Sequence, residues 1–135
     1  MAHVTGADRH IRRLKRIGQT VRTRVGQALV PAAELVAAEA VTSITIDAVR
    51  GPGHVPSQPG EPPNADTGRL EHSIAVERRG ELAVDVVAAA PYAADLEFGT
   101  SRVAARPYLR PATAKKRMEV VERIVQAARR GVEDA

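Results

Sequence analysis

The sequence contains no cysteine and only three aromatic residues, Tyr92, Phe98 and Tyr108. The first absence excludes disulfides, thiolate metal sites and cysteine nucleophiles, and it suits assembly in a reducing compartment. The second concentrates the strongest packing anchors of the chain, because all three aromatics fall within seventeen residues, Tyr92 to Tyr108. No uninterrupted apolar run approaches the roughly 18 residues of a membrane span. The basic, amphipathic start of the chain lacks a continuous apolar core followed by a cleavage site. A soluble, non-secreted protein with no membrane partner is therefore expected. Leu, Ile and Phe are also scarce relative to Ala and Val. Each buried position then removes less area from water, at about 25 cal/mol per Å², and stability is expected to lean on neighbouring subunits.

At 135 residues the chain fits a single domain, able to bury roughly two thirds of its unfolded surface without staples. The net charge of +4 is unevenly distributed. Arg9, Arg12, Arg13, Lys15, Arg16, Arg22 and Arg24 follow one another with no acidic residue among them. This defines a basic N-terminal helical region, residues 1–24, suited to DNA or to an acidic protein surface, or else to a solvated helix face.

Apolar residues recur at helical spacing through Ile11, Leu14, Ile17, Val21, Val25 and Leu29, then Ala32, Val36, Ala40, Ile44 and Ala48. A helix unbroken to Arg50 would run about 60 Å, and Pro31 removes a hydrogen bond from its interior, so a kink or break is expected near Val30. Thr42, Ser43 and Thr45 favour fraying at its end. Residues 51–66 hold Pro52, Pro56, Pro59, Pro62 and Pro63 with Gly51, Gly53 and Gly60, a loop or extended arm without helix or central strand.

Ser73 to Arg78 and Leu82 to Ala88 alternate in apolar character about Arg79-Gly80, which predicts a β-hairpin. Ile74 and Val76 share one face, as do Leu82, Val84 and Val86. A hairpin alone is marginal in water and must pack on the long helix or join other strands. Pro91 opens a short helix through Leu96 and Phe98, with Gly99 as a left-handed cap. A last helix opens at Pro111, with Ala114, Met118, Val121, Val125, Ala128 and Val132 as its apolar stripe. The expected class is α+β: a long N-terminal helix, a small antiparallel sheet and a C-terminal helix.

Chemistry has few candidates. Asp66-Thr67-Gly68 is the triplet that carries the catalytic carboxylate of aspartic proteases, where two Asp side chains share a proton. A dimer could supply both, which makes a dimeric protease using Asp66 the remote enzymatic reading. Here, however, the triplet follows Pro62-Pro63-Asn64-Ala65 rather than a buried strand, and Asp66 or Thr67 instead fits the cap of a short helical turn. His3, His10, His54 and His72 show no metal-ligand spacing. Gly51-Pro52-Gly53 lacks the lysine and helix of a phosphate loop, and Ser57, Ser73 and Ser101 sit in no nucleophile elbow. No catalytic, cofactor-binding or metal site is expected, and no cofactor.

The triplet and the aromatic segment belong together. Gly60-Glu61-Pro62-Pro63, Asp66-Thr67-Gly68-Arg69-Leu70, Ser73-Ile74, the hairpin, Tyr92-Ala93, Leu96-Glu97-Phe98-Gly99-Thr100-Ser101 and Ala105-Arg106-Pro107-Tyr108-Leu109-Arg110-Pro111-Ala112 follow in order. This arrangement resembles the neck and tail-completion proteins of long-tailed phages, the family typified by gene product ten of the Hong Kong lambdoid coliphages. The resemblance runs from about Val36 to Ala128 and leaves the basic N-terminal region outside it. It implies a non-enzymatic structural protein of the phage or prophage head-to-tail junction, in the virion after assembly in the host cytoplasm. Its implied partners are further copies in a ring, six-fold by resemblance, with head-closure or portal-side proteins, a tail terminator or tail-tube protein, and DNA passing through the lumen. A tail terminator or a head-closure protein of the same junction is the alternative. The matching positions are Asp66, Thr67, Gly68, Leu70, Tyr92, Glu97, Phe98, Gly99, Thr100, Arg106, Pro107 and Pro111, joined by Tyr108 as an interface candidate. Glu97 and Arg106 are expected to pair, within or between subunits, and Phe98 and Tyr108 to face either the core or a neighbour.

Non-specific DNA binding through the basic helix has its own signature, since phosphate contacts release counterions and affinity falls steeply with salt. Titrating duplex DNA at low and moderate ionic strength tests it. Indifference to DNA at low salt removes the DNA-binding reading.

Overall fold

The computed structural model describes residues 5–46 and 48–135; the expectation about His3 lies outside them. The long helix α1 (Ala7–Thr45) spans 39 residues, about 58 Å at 1.5 Å per residue. Ala32, Val36, Ala40 and Ile44 are buried at four-residue spacing along one stripe, the face the helix turns to the core. Of the kink or break expected near Val30, the break does not occur, because α1 continues through Pro31. Proline removes only the bond to the Gln27 carbonyl, and both residues are exposed, so water can satisfy that oxygen. The flanks are held independently: Arg78 donates to the Gly26 carbonyl at 2.8 Å, and Ala32 lies in the core. At the other end the helix stops at Thr45, short of Arg50, where its residues have poor helix propensity. Ser43 and Thr45 donate their hydroxyls back to the carbonyls of Ala40 and Val41, and Ile46 is extended.

By length and composition alone, one eighteen-residue window of α1 is apolar enough to cross a membrane, which amends the expectation that no stretch approaches this. The window is interrupted by Glu34 and Glu39, and Glu39 pairs with Lys115 of the last helix at 2.6 Å.

A 3-10 turn (Gly51–Gly53) begins the proline-rich segment, which folds back on the body. Ala65 donates to the Ile44 carbonyl, Gly60 to that of Ala105, and Asn64 to that of Val55. The helical turn α2 (Arg69–His72) leads into the antiparallel pair β1 (Ile74–Gly80) and β2 (Ala83–Ala88). The register pairs Ile74 with Ala88 and Val76 with Val86, so the apolar residues share one half-buried face, as the alternation predicts. The tip is displaced from its predicted place at Arg79-Gly80. A bulge between Arg78 and Gly80 moves the turn to Glu81-Leu82, where Leu82 is 45% exposed rather than aligned with Val84. At the displaced tip the Arg79 side chain pairs with Asp85 at 2.6 Å and Glu77 at 3.4 Å, and Arg78 donates to the Gly80 and Glu81 carbonyls at 3.1 Å.

A short helix α3 (Ala93–Phe98) and the last helix α4 (Leu109–Glu133) complete the chain. Helix α4 begins two residues before Pro111, which occupies the first turn, where its missing N–H has no intrahelical partner in any case. Its predicted apolar stripe faces outward: Met118 is 72% exposed, Val121 48%, Val125 43% and Val132 54%. The face that packs on α1 carries Ala112 and Gly131, both buried, with Val120 against the core. Small residues let two helices approach closely, and a Cβ added at Gly131 would lie 2.5 Å from the Cα of Val21.

Gly131→Ala is therefore expected to lower stability by about 1–3 kcal/mol through overpacking, against its intrinsic helix-propensity gain. Gly18→Ala, within α1 and in open space, is expected to raise stability by roughly 0.5–1 kcal/mol. Urea unfolding followed by circular dichroism measures both; equal effects of the two substitutions would contradict the close helix contact.

Candidate functional site: a carboxylate clamp and the loops it gathers

Glu97 is buried, with 5% of its surface exposed, and its carboxylate sits at the start of α4. Oε2 accepts the backbone N–H groups of Tyr108 at 2.8 Å and Leu109 at 3.0 Å. Oε1 accepts that of Arg110 at 2.9 Å, with the Arg110 guanidinium 3.8 Å away. These N–H groups have no partner within the helix, and the positive end of the helix dipole favours the anion. One side chain thus ties the end of α3 to the start of α4.

Within the chain the expected Glu97–Arg106 pair is not formed, because the carboxylate is already occupied by backbone donors. Arg106 turns the other way and donates to the Ser57 carbonyl at 3.3 Å, while its backbone N–H bonds the Leu96 carbonyl. Thr100 builds the turn between them, its hydroxyl oxygen accepting from the N–H of Arg102 and Val103. Gly99 follows α3 with φ 75° and ψ 170°, positive in φ as expected but not in the left-handed helical well. An added Cβ there would lie 2.8 Å from the Ala105 nitrogen. The segment from Gly99 to Pro107 therefore folds flat against α3 and holds the proline-rich arm at Ser57 and Gly60.

The aromatics divide. Tyr108, 1% exposed, is the largest fully buried side chain, and its hydroxyl donates to the Ala93 carbonyl at 3.2 Å. Phe98 is 65% exposed, with the Arg110 guanidinium 4.8 Å above its ring, a cation–π arrangement. Tyr92 is at the border of exposure and lines, with Asp66, Gly68, Glu71 and Leu96, a cavity of about 290 Å³ between α2 and α3.

The triplet Asp66-Thr67-Gly68 is a turn. Asp66 accepts the Gly51 N–H at 3.0 Å and so pins the arm; of the two expected capping candidates, Thr67 is the one that accepts an N–H at the start of α2. Thr67 accepts the Arg69 N–H at 3.4 Å. Gly68, at φ 81°, takes the cap position of α2 itself and leaves room for Arg50 and His72, which a Cβ would meet at 2.9 and 3.1 Å. Behind it, Arg50 pairs with the buried carboxylate of Glu71. Leu70 lies in the core. Sequence reasoning missed Arg50 and Glu71; Arg50 follows the end of the apolar helical pattern, and nothing in the spacing joins it to a residue 21 positions on.

Of the basic cluster, Arg22 pairs with Glu81 at 3.8 Å and Arg24 with Asp134 at 2.5 Å. Arg9, Arg12, Arg13, Lys15 and Arg16 make no ion pair among the described residues.

Burial, then the neighbouring Glu97 carboxylate, pushes the Tyr108 hydroxyl up to about 12 from an ordinary 10. The unfolded chain gives up this proton near pH 10, the folded protein only near 12. Stability is thus expected to fall as pH rises between them, a decline that Tyr108→Phe removes in pH-dependent urea unfolding. Glu97→Ala leaves three N–H groups without their acceptor and is expected to cost about 3 kcal/mol or more, read from the same unfolding curves; a loss under about 1 kcal/mol contradicts the clamp.

A family model described as "Bacteriophage HK97-gp10, putative tail-component" matches residues 8–99. The match takes in the basic region from Arg9 to Arg24, which the resemblance had left outside, and it ends at Gly99, before Arg106 and Pro111. No curated protein and no solved structure matches.

Proposed function

Because this chain belongs to the HK97-gp10-like family of bacteriophage tail components, we propose that it is a structural connector of the head-to-tail junction, a neck or tail-completion protein that works as a ring around passing DNA. Within the family reading, one observation carries the finer role: large aliphatic residues stand exposed on both long helices, among them Ile11, Leu14, Met118, Val121 and Val125. A monomer gains nothing from leaving them in water, whereas an assembly subunit buries them against its neighbours. The uncommitted cations Arg9, Arg12, Arg13, Lys15 and Arg16 supply a surface for the phosphate backbone or for an acidic neighbouring protein.

In this role the residues from Asp66 to Leu70 and from Tyr92 to Pro111 do no chemistry. Glu97, Gly99, Thr100 and Arg106 hold the arm, α3 and α4 in one arrangement, and Phe98 with Arg110 forms an exposed, oriented contact point. The partners are further copies of the chain, the portal-side and tail-side proteins of the junction, and DNA without sequence preference.

Particles supply the test. Mass spectrometry of purified virions should detect the protein in ring-like copy number, and a phage lacking it should accumulate filled heads beside unjoined tails. Absence of the protein from purified virions overturns the connector role.

A further inference from the structure

The buried carboxylate of Glu71 has one oxygen to spare. Its side chain is 6% exposed, and Oε1 is taken by the Arg50 guanidinium. Oε2 is shut off from water and has no hydrogen-bond partner among the described residues. A carboxylate oxygen buried without a donor is costly, so this orphan calls for a donor that the chain itself does not supply.

Glu71 lines the cavity of about 290 Å³ between α2 and α3. Four segments build its apolar walls, with Ile44 from α1, Ala65 from the proline-rich arm, Leu70 from α2 and Leu96 from α3. Ile44, Ala65 and Leu70 belong to the core and Leu96 packs against it, so these walls are held by the fold itself. Asp66, Thr67 and Arg69 stand exposed at the rim. The volume lies just under the range of about 300–1,000 Å³ that drug-sized ligands occupy, and it suits a single side chain or a small ring compound rather than a cofactor.

Net charge does not choose the occupant, because Arg50 and Arg69 balance Asp66 and Glu71 around the cavity. Hydrogen bonding does. An ionised carboxylate oxygen is an acceptor only, and a donor that reaches it forms a charge-assisted bond. Among the described residues no group of three or more His, Asp or Glu side chains gathers for a metal ion, which leaves an organic donor as the fitting partner.

We propose that this cavity binds one inserted group with an apolar body and a terminal N–H donor, the donor bonding Oε2 of Glu71 and the body lying against Leu70, Leu96 and Tyr92. A carboxamide, an amidinium and a guanidinium all have this form. Such a group belongs either to a small molecule or to a side chain of a neighbouring protein, and the site does not depend on the connector role.

Matched ring compounds test the site on the purified full chain. Benzamide and benzamidine supply the donor, acetophenone keeps the shape of benzamide without it, and benzoate carries acceptors only. Titrations followed by two-dimensional NMR of the backbone amides are expected to show both donors binding at least about tenfold more tightly than acetophenone and benzoate, with shifts centred on Leu70, Glu71 and Leu96. In Glu71→Gln, checked by circular dichroism for retained fold, Arg50 takes the side-chain carbonyl and leaves the NH₂ facing the cavity, donor against donor, so the preference is expected to vanish. Acetyl-glutamine methylamide binding more tightly than benzamide identifies a protein side chain as the source, and the reverse order a free small molecule. Equal binding of benzamide and acetophenone, binding of none of the probes, shifts centred elsewhere, or a preference that survives in Glu71→Gln overturns the proposal. The comparison of probes on the unaltered chain decides it without any variant.

Discussion

The buried carboxylate of Glu97 is the interaction on which the second half of the fold depends. A carboxylate is costly to bury unless its oxygens are bonded, and here three backbone N–H groups at the start of α4 meet that need. The arrangement is reciprocal, since those N–H groups would be orphans without it. Tyr108, whose N–H is one of the three, is thereby set with its ring in the core and its hydroxyl on α3. Arg110, another of the three, is set above Phe98. Because Glu97 is spent on backbone, Arg106 is released to bond Ser57, and the proline-rich arm acquires a fixed seat.

The first half depends on how closely helices can approach. Alanine at 32, 40 and 112 and glycine at 131 bring α1 and α4 together, and Gly26 lets the hairpin tip reach α1, with a hypothetical Cβ only 2.8 Å from the Glu81 carbonyl. The resulting core is thin, with Tyr108 and Ile44 its largest fully buried side chains. The larger aliphatics lie at the surface instead. That inversion accords with a subunit whose full burial is reached in an assembly, and with a family of phage tail components.

Much of the fold was legible because the relevant signals are local. Helical spacing marked α1 and α4, strict alternation marked the hairpin, and proline density marked the arm; each depends on neighbours within a few residues. Two local rules were overridden. Pro31 did not break α1, because one lost hydrogen bond is minor beside the packing on either side. The hairpin tip moved past Arg79-Gly80, where a bulge shifts the register and Arg78 bonds the carbonyls of Gly80, Glu81 and Gly26. The candidate site was half legible: its positions could be named from their order, yet their partners could not. Glu97 was matched to Arg106 across the turn from Gly99 to Pro107, whereas within the chain its partners are backbone groups that carry no sequence signature.

Residue order alone suffices for the class of the protein, the order of its elements, the want of cysteine chemistry and the family to which it belongs. Those properties follow from composition, period and motif order, which survive without knowledge of contacts. Which apolar face of α4 lies inside follows from packing against α1. Both of its stripes satisfy a 3.6-residue period, and the helix turns inward the one whose small residues allow a neighbour's backbone to come close. The larger aliphatic stripe is thereby left outside, exposed to solvent.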